Sequence, residues 1–347
     1  MAHLALQAQK GEFTSLMIED QLPMLALVYL LPTVLGVGLL AWRWFRGPEW
    51  MAYVEPLIFA VPILVGFCAL EGRWPWAMHS PWRVHYWVAV GVAIMAGVAG
   101  VLSGKGRLAR ISGLVLVLLV CWAGLIVMLK DYSGKLHSDW TTTQHMGLFV
   151  FMLALAAGHV FGQIGLARVF PASWFLVSAG VILLGGTLYA FFGASSLKVA
   201  QWMTIGGEVA GVTAILSFTQ KNKRVLPGVG AVFGFFVSAS LLYGFYAAEK
   251  ASLLPLVCVL AAPFAGLPWA MKSPRQSSIR LKMGCAIWIL LLVVIAIAIA
   301  ILQQPSAAEE DDYYDAYSFI TSRAAVGLRA GPLTVRAAAS AETYNVL

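Results

Sequence analysis

Glu208 is the side chain whose type and position most directly suggest chemistry. It is the one charged residue in the apolar stretch 199–218 and lies near its middle. If that stretch crosses a bilayer, a carboxylate at its centre costs about 3 kcal/mol, so it needs a partner, a proton or a watery cavity. Such a residue suits proton uptake and release, which makes Glu208 a candidate substrate or proton site. A neutral, hydrogen-bonded structural glutamate is an equally good interpretation of the sequence.

Two prolines inside apolar stretches, Pro62 and Pro255, extend that candidate site. Proline has no backbone N–H, so it removes one helical hydrogen bond and can leave a carbonyl oxygen free to face a ligand. A packed kink is the alternative, because neighbouring helices in a membrane can satisfy the freed carbonyl. We group Pro62 and Pro255 with Glu208 in one candidate substrate site.

Three histidines suggest a different chemistry, axial ligation of haem b. His145 and His159 are fourteen residues apart in one apolar stretch, which places them within about 40° on one helical face and about 21 Å apart along the axis. His85 begins another stretch at the level of His145, so the two side chains form a candidate bis-histidine pair. His159 lacks such a partner. The alternatives are interfacial histidines at 85 and 145 and a hydrogen-bonded core histidine at 159.

Other chemistry has no support in the sequence. The four cysteines, Cys68, Cys121, Cys258 and Cys285, lie in apolar stretches without CxxC spacing, which predicts small packed residues and no metal site. The chain contains no phosphate-binding loop, no GxSxG and no HExxH motif, so we do not expect an enzyme of a soluble type. Haem b is the one cofactor considered, and otherwise no cofactor is expected.

The composition identifies the elements that must position these residues. Apolar residues make up 60% of the 347-residue chain and charged residues 11%, against about 25% charged in an ordinary soluble domain. This excludes soluble, disordered and nucleic-acid-binding classes and predicts an all-α, polytopic membrane bundle lying in the lipid bilayer. A membrane helix needs about 20 apolar residues. Ten stretches qualify: 23–43, 52–70, 84–103, 109–129, 146–166, 173–193, 199–218, 226–246, 252–270 and 281–302.

The loop charges predict an orientation. Basic residues are about twice as frequent in one set of loops, which the positive-inside rule places in the cytoplasm. The residues on that side are Arg43, Arg46, Lys105, Arg107, Arg110, Arg168, Lys221, Lys223, Arg224, Lys272, Arg275, Arg280 and Lys282. We therefore expect a plasma (inner) membrane protein with both termini extracytoplasmic. Its expected parts are a short segment 1–21, a membrane domain 22–303 and a polar, disordered tail 304–347 that is a candidate protein-binding segment.

An internal repeat is the strongest pointer to function. The sequence PWAMHSP at 75–81 returns as PWAMKSP at 268–274, and Pro62 matches Pro255 at the same offset. Stretches 1–3 would then repeat as stretches 8–10 in the opposite orientation. Inverted repeats build many secondary transporters around a central site. The leading expectation is thus a transporter of a small solute or ion, proton-coupled through Glu208. The alternatives are a membrane subunit or scaffold and a haem b electron-transfer protein.

Paired glycines complete the sequence prediction. Gly207 and Gly211 in one stretch, and Gly158 and Gly162 in another, have the four-residue spacing that lets membrane helices approach closely. We expect both pairs to lie at helix contacts and to have no chemical role.

Overall fold

The structure, a computed structural model, describes residues 26–45, 51–71, 83–101, 107–129, 141–219, 224–248, 251–270 and 278–303. Segment 1–21, the tail 304–347 and the repeat residues 75–81 and 271–274 lie outside the described residues. The corresponding predictions of a terminal segment, a disordered tail and a partner for that tail therefore stay predictions.

The described residues form an all-helical bundle, as the composition predicts. The helices are α1 Ala26–Phe45, α2 Met51–Glu71, α3 Arg83–Val101, α4 Arg107–Leu129, α5 Thr142–Val169, α6 Ala172–Gly193, α7 Leu197–Phe218, α8 Pro227–Ala247, α9 Leu253–Trp269 and α10 Ile279–Leu302. Among these residues, seven helices are long and apolar enough to cross a membrane. The shorter apolar segments, Val54–Leu70, Val88–Val98 and Leu253–Trp269, leave the count of ten spans a prediction.

Helix α8 is the central helix, and almost all of its residues are buried. Its aromatic side chains pack against several neighbouring helices. Phe233 packs edge-on against Phe59 of α2 at 5.6 Å between ring centroids, Phe235 lies over Gly91 of α3, and Phe236 lies over Gly206 of α7. Large rings placed over glycines draw the surrounding helices close to α8.

The beginning of α8 is held by a buried carboxylate. Glu55 of α2, which is 1% exposed, accepts a hydrogen bond from the backbone N–H of Leu226 at 2.9 Å. Leu226 precedes Pro227, and the first N–H groups of a helix have no partner within the helix. Arg43 of α1 lies 3.8 Å from the second carboxylate oxygen, Nε to Oε2. This contact joins α1, α2 and α8 at one end of the bundle.

The outer surface of the bundle is apolar. Leu119 of α4 is 57% exposed, Ile215 of α7 is 68% exposed and Leu290 of α10 is 55% exposed. A surface of this kind suits lipid because every backbone polar group inside a helix is already bonded.

Candidate functional site

Helix α5 and the second half of α9 touch backbone to backbone through glycine. A Cβ atom on Gly162 would overlap the carbonyl oxygen of Pro263, and a Cβ on Gly165 would overlap that of Gly266. Neighbouring Gly158 faces the ring of Phe264. Residues 158 and 162, predicted as packing positions, therefore lie at a helix contact, and at Gly162 and Gly165 only glycine fits without movement of a backbone.

The opposite side of α5 meets the central helix in the same manner. A Cβ on Gly230 of α8 would lie 2.5 Å from the carbonyl oxygen of Gln163, and one on Gly234 would lie 2.7 Å from the Cα of Val160. Helix α5 is thus held between α8 and α9 with no side-chain layer at these points.

Helix α9 changes its hydrogen-bonding pattern in its middle. Residues Leu253–Ala261 are α-helical and Ala262–Trp269 form a 3₁₀ helix. In the 3₁₀ pattern a carbonyl bonds to the N–H three residues later, and for Leu260 that residue is Pro263, which has no N–H. The carbonyl of Leu260 therefore needs a partner from outside α9.

His159 of α5 supplies that partner. Its Nδ1 lies 2.9 Å from the carbonyl oxygen of Leu260, 101 residues away in sequence. A carbonyl oxygen only accepts, so Nδ1 carries the proton, and in the neutral imidazole Nε2 is left as an acceptor. The side chain of His159 is completely buried, and its Nε2 has no hydrogen-bond partner in the described part of the chain.

Gln163 lies one turn beyond His159. Four residues rotate by about 40°, so the two side chains share the face of α5 between its contacts with α8 and with α9. Gln163 is 1% exposed, and neither its amide nitrogen nor its oxygen has a partner among the residues described. We call this region, formed by His159, Gln163 and the Leu260 carbonyl, the histidine seam.

Glu208 lies in a different part of the bundle. It is half-buried on α7 and has no hydrogen bond or ion pair within the described ranges. Tyr29, in the π-helical first turn of α1, Ala26–Leu30, lies within electrostatic range of Glu208. We call Glu208 and Tyr29 the acidic pair. A π-helical turn is uncommon and often accompanies a functional site.

Only one of the two prolines assigned to Glu208 lies near it. Gly36 of α1 lies between Val209 of α7 and Pro62 of α2. A Cβ on Gly36 would lie 3.2 Å from the side chain of Val209 and 3.5 Å from that of Pro62. Pro62 itself stands inside an uninterrupted helix. Pro255 lies in the first turn of α9, which packs against α5 and α10 rather than α7. Since the first N–H groups of a helix have no acceptor within it, Pro255 frees no carbonyl there.

The remaining predicted residues are spread over the bundle. His145 is half-buried in the first turn of α5, and His85 lies in the first turn of α3, its side chain outside the described set. A Cβ on Gly207 would lie 3.7 Å from Leu183, and one on Gly211 has no neighbour within 4 Å in the described regions. No group of three or more His, Cys, Asp or Glu side chains is placed to hold a metal within those regions.

Sequence reasoning missed the interruption of α9 and the role of Gln163. The available signal was local: Pro263 and Pro268 flank a glycine in APFAGLPW, and two glycines flank His159 in GHVFGQIG. The internal repeat pointed to Pro255, whereas the proline at the interruption is Pro263.

No protein-family model, no curated protein and no solved structure matches this chain.

Proposed function

We propose that the protein is a secondary transporter whose solute path passes the histidine seam. The observation that carries the proposal is the change from α to 3₁₀ helix at Ala261–Ala262, beside two buried polar side chains with unused hydrogen-bonding atoms. Interrupted membrane helices are the usual place for a transporter to expose backbone carbonyls and bind its substrate.

The position of the seam supports this proposal. Leu260 is the eighth of the seventeen residues of α9, so the interruption falls near the middle of that helix. Irregular backbone at membrane depth persists where it is buried in protein or lines a cavity. Both His159 and Gln163 are enclosed, which suits an occluded conformation that must open to admit a solute.

The available atoms define the class of solute. Nε2 of His159 accepts a hydrogen bond, and the amide of Gln163 both donates and accepts. We find no fixed charge among the side chains of the seam. The fitting cargo is a small polar solute, without a net charge, that carries hydroxyl, amine or amide groups.

Glu208 is the proposed coupling residue. It is the charged side chain that lies in the middle of a spanning helix, and its half-buried position leaves it accessible to protons. Helices α5 and α7 lie on different sides of α8, so coupling would act through a shared conformational change and not by direct contact.

The repeat is part of the same proposal. If α1–α3 and α8–α10 are inverted copies, as Pro62 and Pro255 suggest, the α-helical parts of α2 and α9 should end at matching places. Glu71 ends α2 and corresponds to Phe264 at the repeat offset, a few residues beyond the end of the α-helical part of α9 at Ala261. The ten spans and the extracytoplasmic termini belong to this proposal too.

The first experiment seeks the solute. Detergent-purified protein is heated with a panel of neutral sugars, polyols, amides and amino acids, because a ligand that binds the folded state raises the unfolding temperature. A compound that stabilises wild type but not Gln163→Leu supports the seam, and its radiolabelled form should exchange across proteoliposomes. If no compound stabilises the protein or exchanges, a scaffold role replaces transport.

The second experiment tests coupling. Proteoliposomes loaded with a pH-sensitive dye report proton uptake driven by the solute found above. Glu208→Gln should abolish proton movement while solute exchange continues. Glu55→Gln is the matched control, because it makes the same chemical change yet keeps an oxygen for the Leu226 N–H. Proton movement that survives Glu208→Gln would remove this residue from the proposal.

Haem b ligation is the second candidate, and one observation favours it. A ligating histidine usually donates its second N–H to a carbonyl, as Nδ1 of His159 does to Leu260. An absorbance spectrum of the purified protein before and after dithionite separates the two functions. Bands that sharpen on reduction and weaken in His159→Leu, His145→Leu or His85→Leu would establish haem. A colourless sample would exclude haem, and transport would remain the proposed function.

A further inference from the structure

A groove runs between the 3₁₀ half of α9 and the beginning of α10. Its volume is about 470 Å³, and it is open along one side. Phe264 and Ala265 form one wall, and Arg280, Gly284 and Trp288 form the other. We call it the α9–α10 groove.

The groove is unfilled at Gly284, where the face of α10 carries no side chain. A Cβ on Gly284 would have no neighbour within 4 Å among the residues described, so the space above this residue is open. Beneath it the helices meet: Cys285, 5% exposed, lies with its Sγ 3.8 Å from the carbonyl oxygen of Ala265. The groove therefore has a closed floor and an open side.

The groove is charged at the beginning of α10 and becomes apolar further along the helix. Arg280 is exposed in the first turn, and Gly284 and Trp288 follow one and two turns later, about 6 Å and 12 Å deeper. The walls are otherwise apolar, and Trp288 is 44% exposed. A cation at the end of a spanning helix, above an apolar channel, matches a molecule with an anionic head and a hydrocarbon tail.

We infer that the α9–α10 groove binds one anionic phospholipid, with its phosphate on Arg280 and an acyl chain along Gly284 and Trp288. The charge of Arg280 complements phosphate at the depth where headgroups lie. The surrounding surface of α10 is apolar, with Ile287 60% exposed, so lipid already covers the open side in a bilayer.

The inference does not rest on the proposed transport. It concerns a surface that would hold lipid whether the protein moves a solute or serves as a scaffold. Phe264 also lies against Gly158 of α5, so a lipid in the groove contacts the segment that packs beside the histidine seam.

Lipid binding is measured by native mass spectrometry of detergent-purified protein titrated with phosphatidylglycerol or phosphatidylcholine. Wild type should bind one phosphatidylglycerol more tightly than phosphatidylcholine. Arg280→Gln should weaken phosphatidylglycerol binding about fivefold, as expected for one cation near a headgroup, and leave phosphatidylcholine unchanged. Gly284→Trp should fill the groove and abolish preferential binding of the first lipid.

Two controls make the result specific. Lys282→Gln removes a neighbouring charge that does not line the groove, and Gly97→Trp adds the same ring at an exposed glycine of α3 with open space around it. Both should bind phosphatidylglycerol as wild type does. Gly284→Leu serves as a second filling variant, and thermal unfolding checks that each variant is folded.

Three results would overturn the inference. Equal binding of phosphatidylglycerol and phosphatidylcholine by wild type would show that the headgroup charge does not determine binding. Unchanged phosphatidylglycerol binding in both folded filling variants, Gly284→Trp and Gly284→Leu, would show that the lipid does not bind in the α9–α10 groove. An equal loss in Gly97→Trp would mean that lipid covers the bundle without a site.

Discussion

The histidine seam and the acidic pair differ in what holds their helices together. At the seam, α5 meets α8 and α9 through glycines, and the polar side chains are completely enclosed. At the acidic pair, α7 carries a half-buried carboxyl group, and a Cβ on nearby Gly211 would have no neighbour within 4 Å among the described residues. The comparison indicates that the seam contributes mainly to stability, whereas a change at Glu208 should have little effect on packing.

The difference has a physical origin. In lipid, helices gain little from burying apolar surface, so close packing and hydrogen bonds decide how tightly they associate. The seam has both, because glycine lets backbones touch and His159 bonds to a backbone carbonyl. At the acidic pair, Glu208 and Tyr29 lie within electrostatic range of each other at a less enclosed position.

The largest expected effect is that of Gly165→Leu. The added side chain would overlap the carbonyl oxygen of Gly266, so the two backbones would have to separate. Overpacking typically costs about 1–3 kcal/mol, and we expect the free energy of unfolding to fall by more than this. Thermal or denaturant unfolding in detergent measures it. Gly211→Leu, the same change on α7, should alter stability by about 0.5 kcal/mol or less. Equal losses would erase the contrast between the two regions.

The hydrogen bond at the interruption should have the next largest effect. His159→Leu leaves the carbonyl of Leu260 unsatisfied in the interior, which should cost about 1–3 kcal/mol. Pro263→Ala restores an N–H three residues after Leu260, so the double variant should lose less than His159→Leu alone. The unfolding free energies of wild type, the two single variants and the double variant form a double-mutant cycle. Additive losses would show that the imidazole does not replace the missing N–H.

The smallest expected effect on stability belongs to Glu208→Gln. Glu208 has no hydrogen bond or ion pair in the described part of the chain, and its neutral isostere keeps the volume. We expect a change of about 0.5 kcal/mol or less in the free energy of unfolding, although proton coupling should be lost. A loss comparable to that of His159→Leu would mean that Glu208 is a structural residue.

The all-helical class and the positions of the helices follow from the amino-acid sequence alone. The stretch 226–246 was expected and α8 is Pro227–Ala247, because an apolar run in lipid has to bond its own backbone. The sequence also draws attention to Glu208, since a lone charge in such a run stands out, and its role stays a prediction. These conclusions depend on neighbours along the chain, and local sequence contains that information.

The packing of the helices determines which polar and small residues lie together. Gly158/Gly162 and Gly207/Gly211 have the same spacing, yet Gly162 meets a backbone carbonyl and Gly211 has no close neighbour in the part of the chain that the structure describes. His159 reaches a carbonyl 101 residues away, and that carbonyl is free only because α9 becomes 3₁₀ where Pro263 lacks an N–H. Such contacts depend on how distant helices pack, which no periodicity or spacing within one stretch can express.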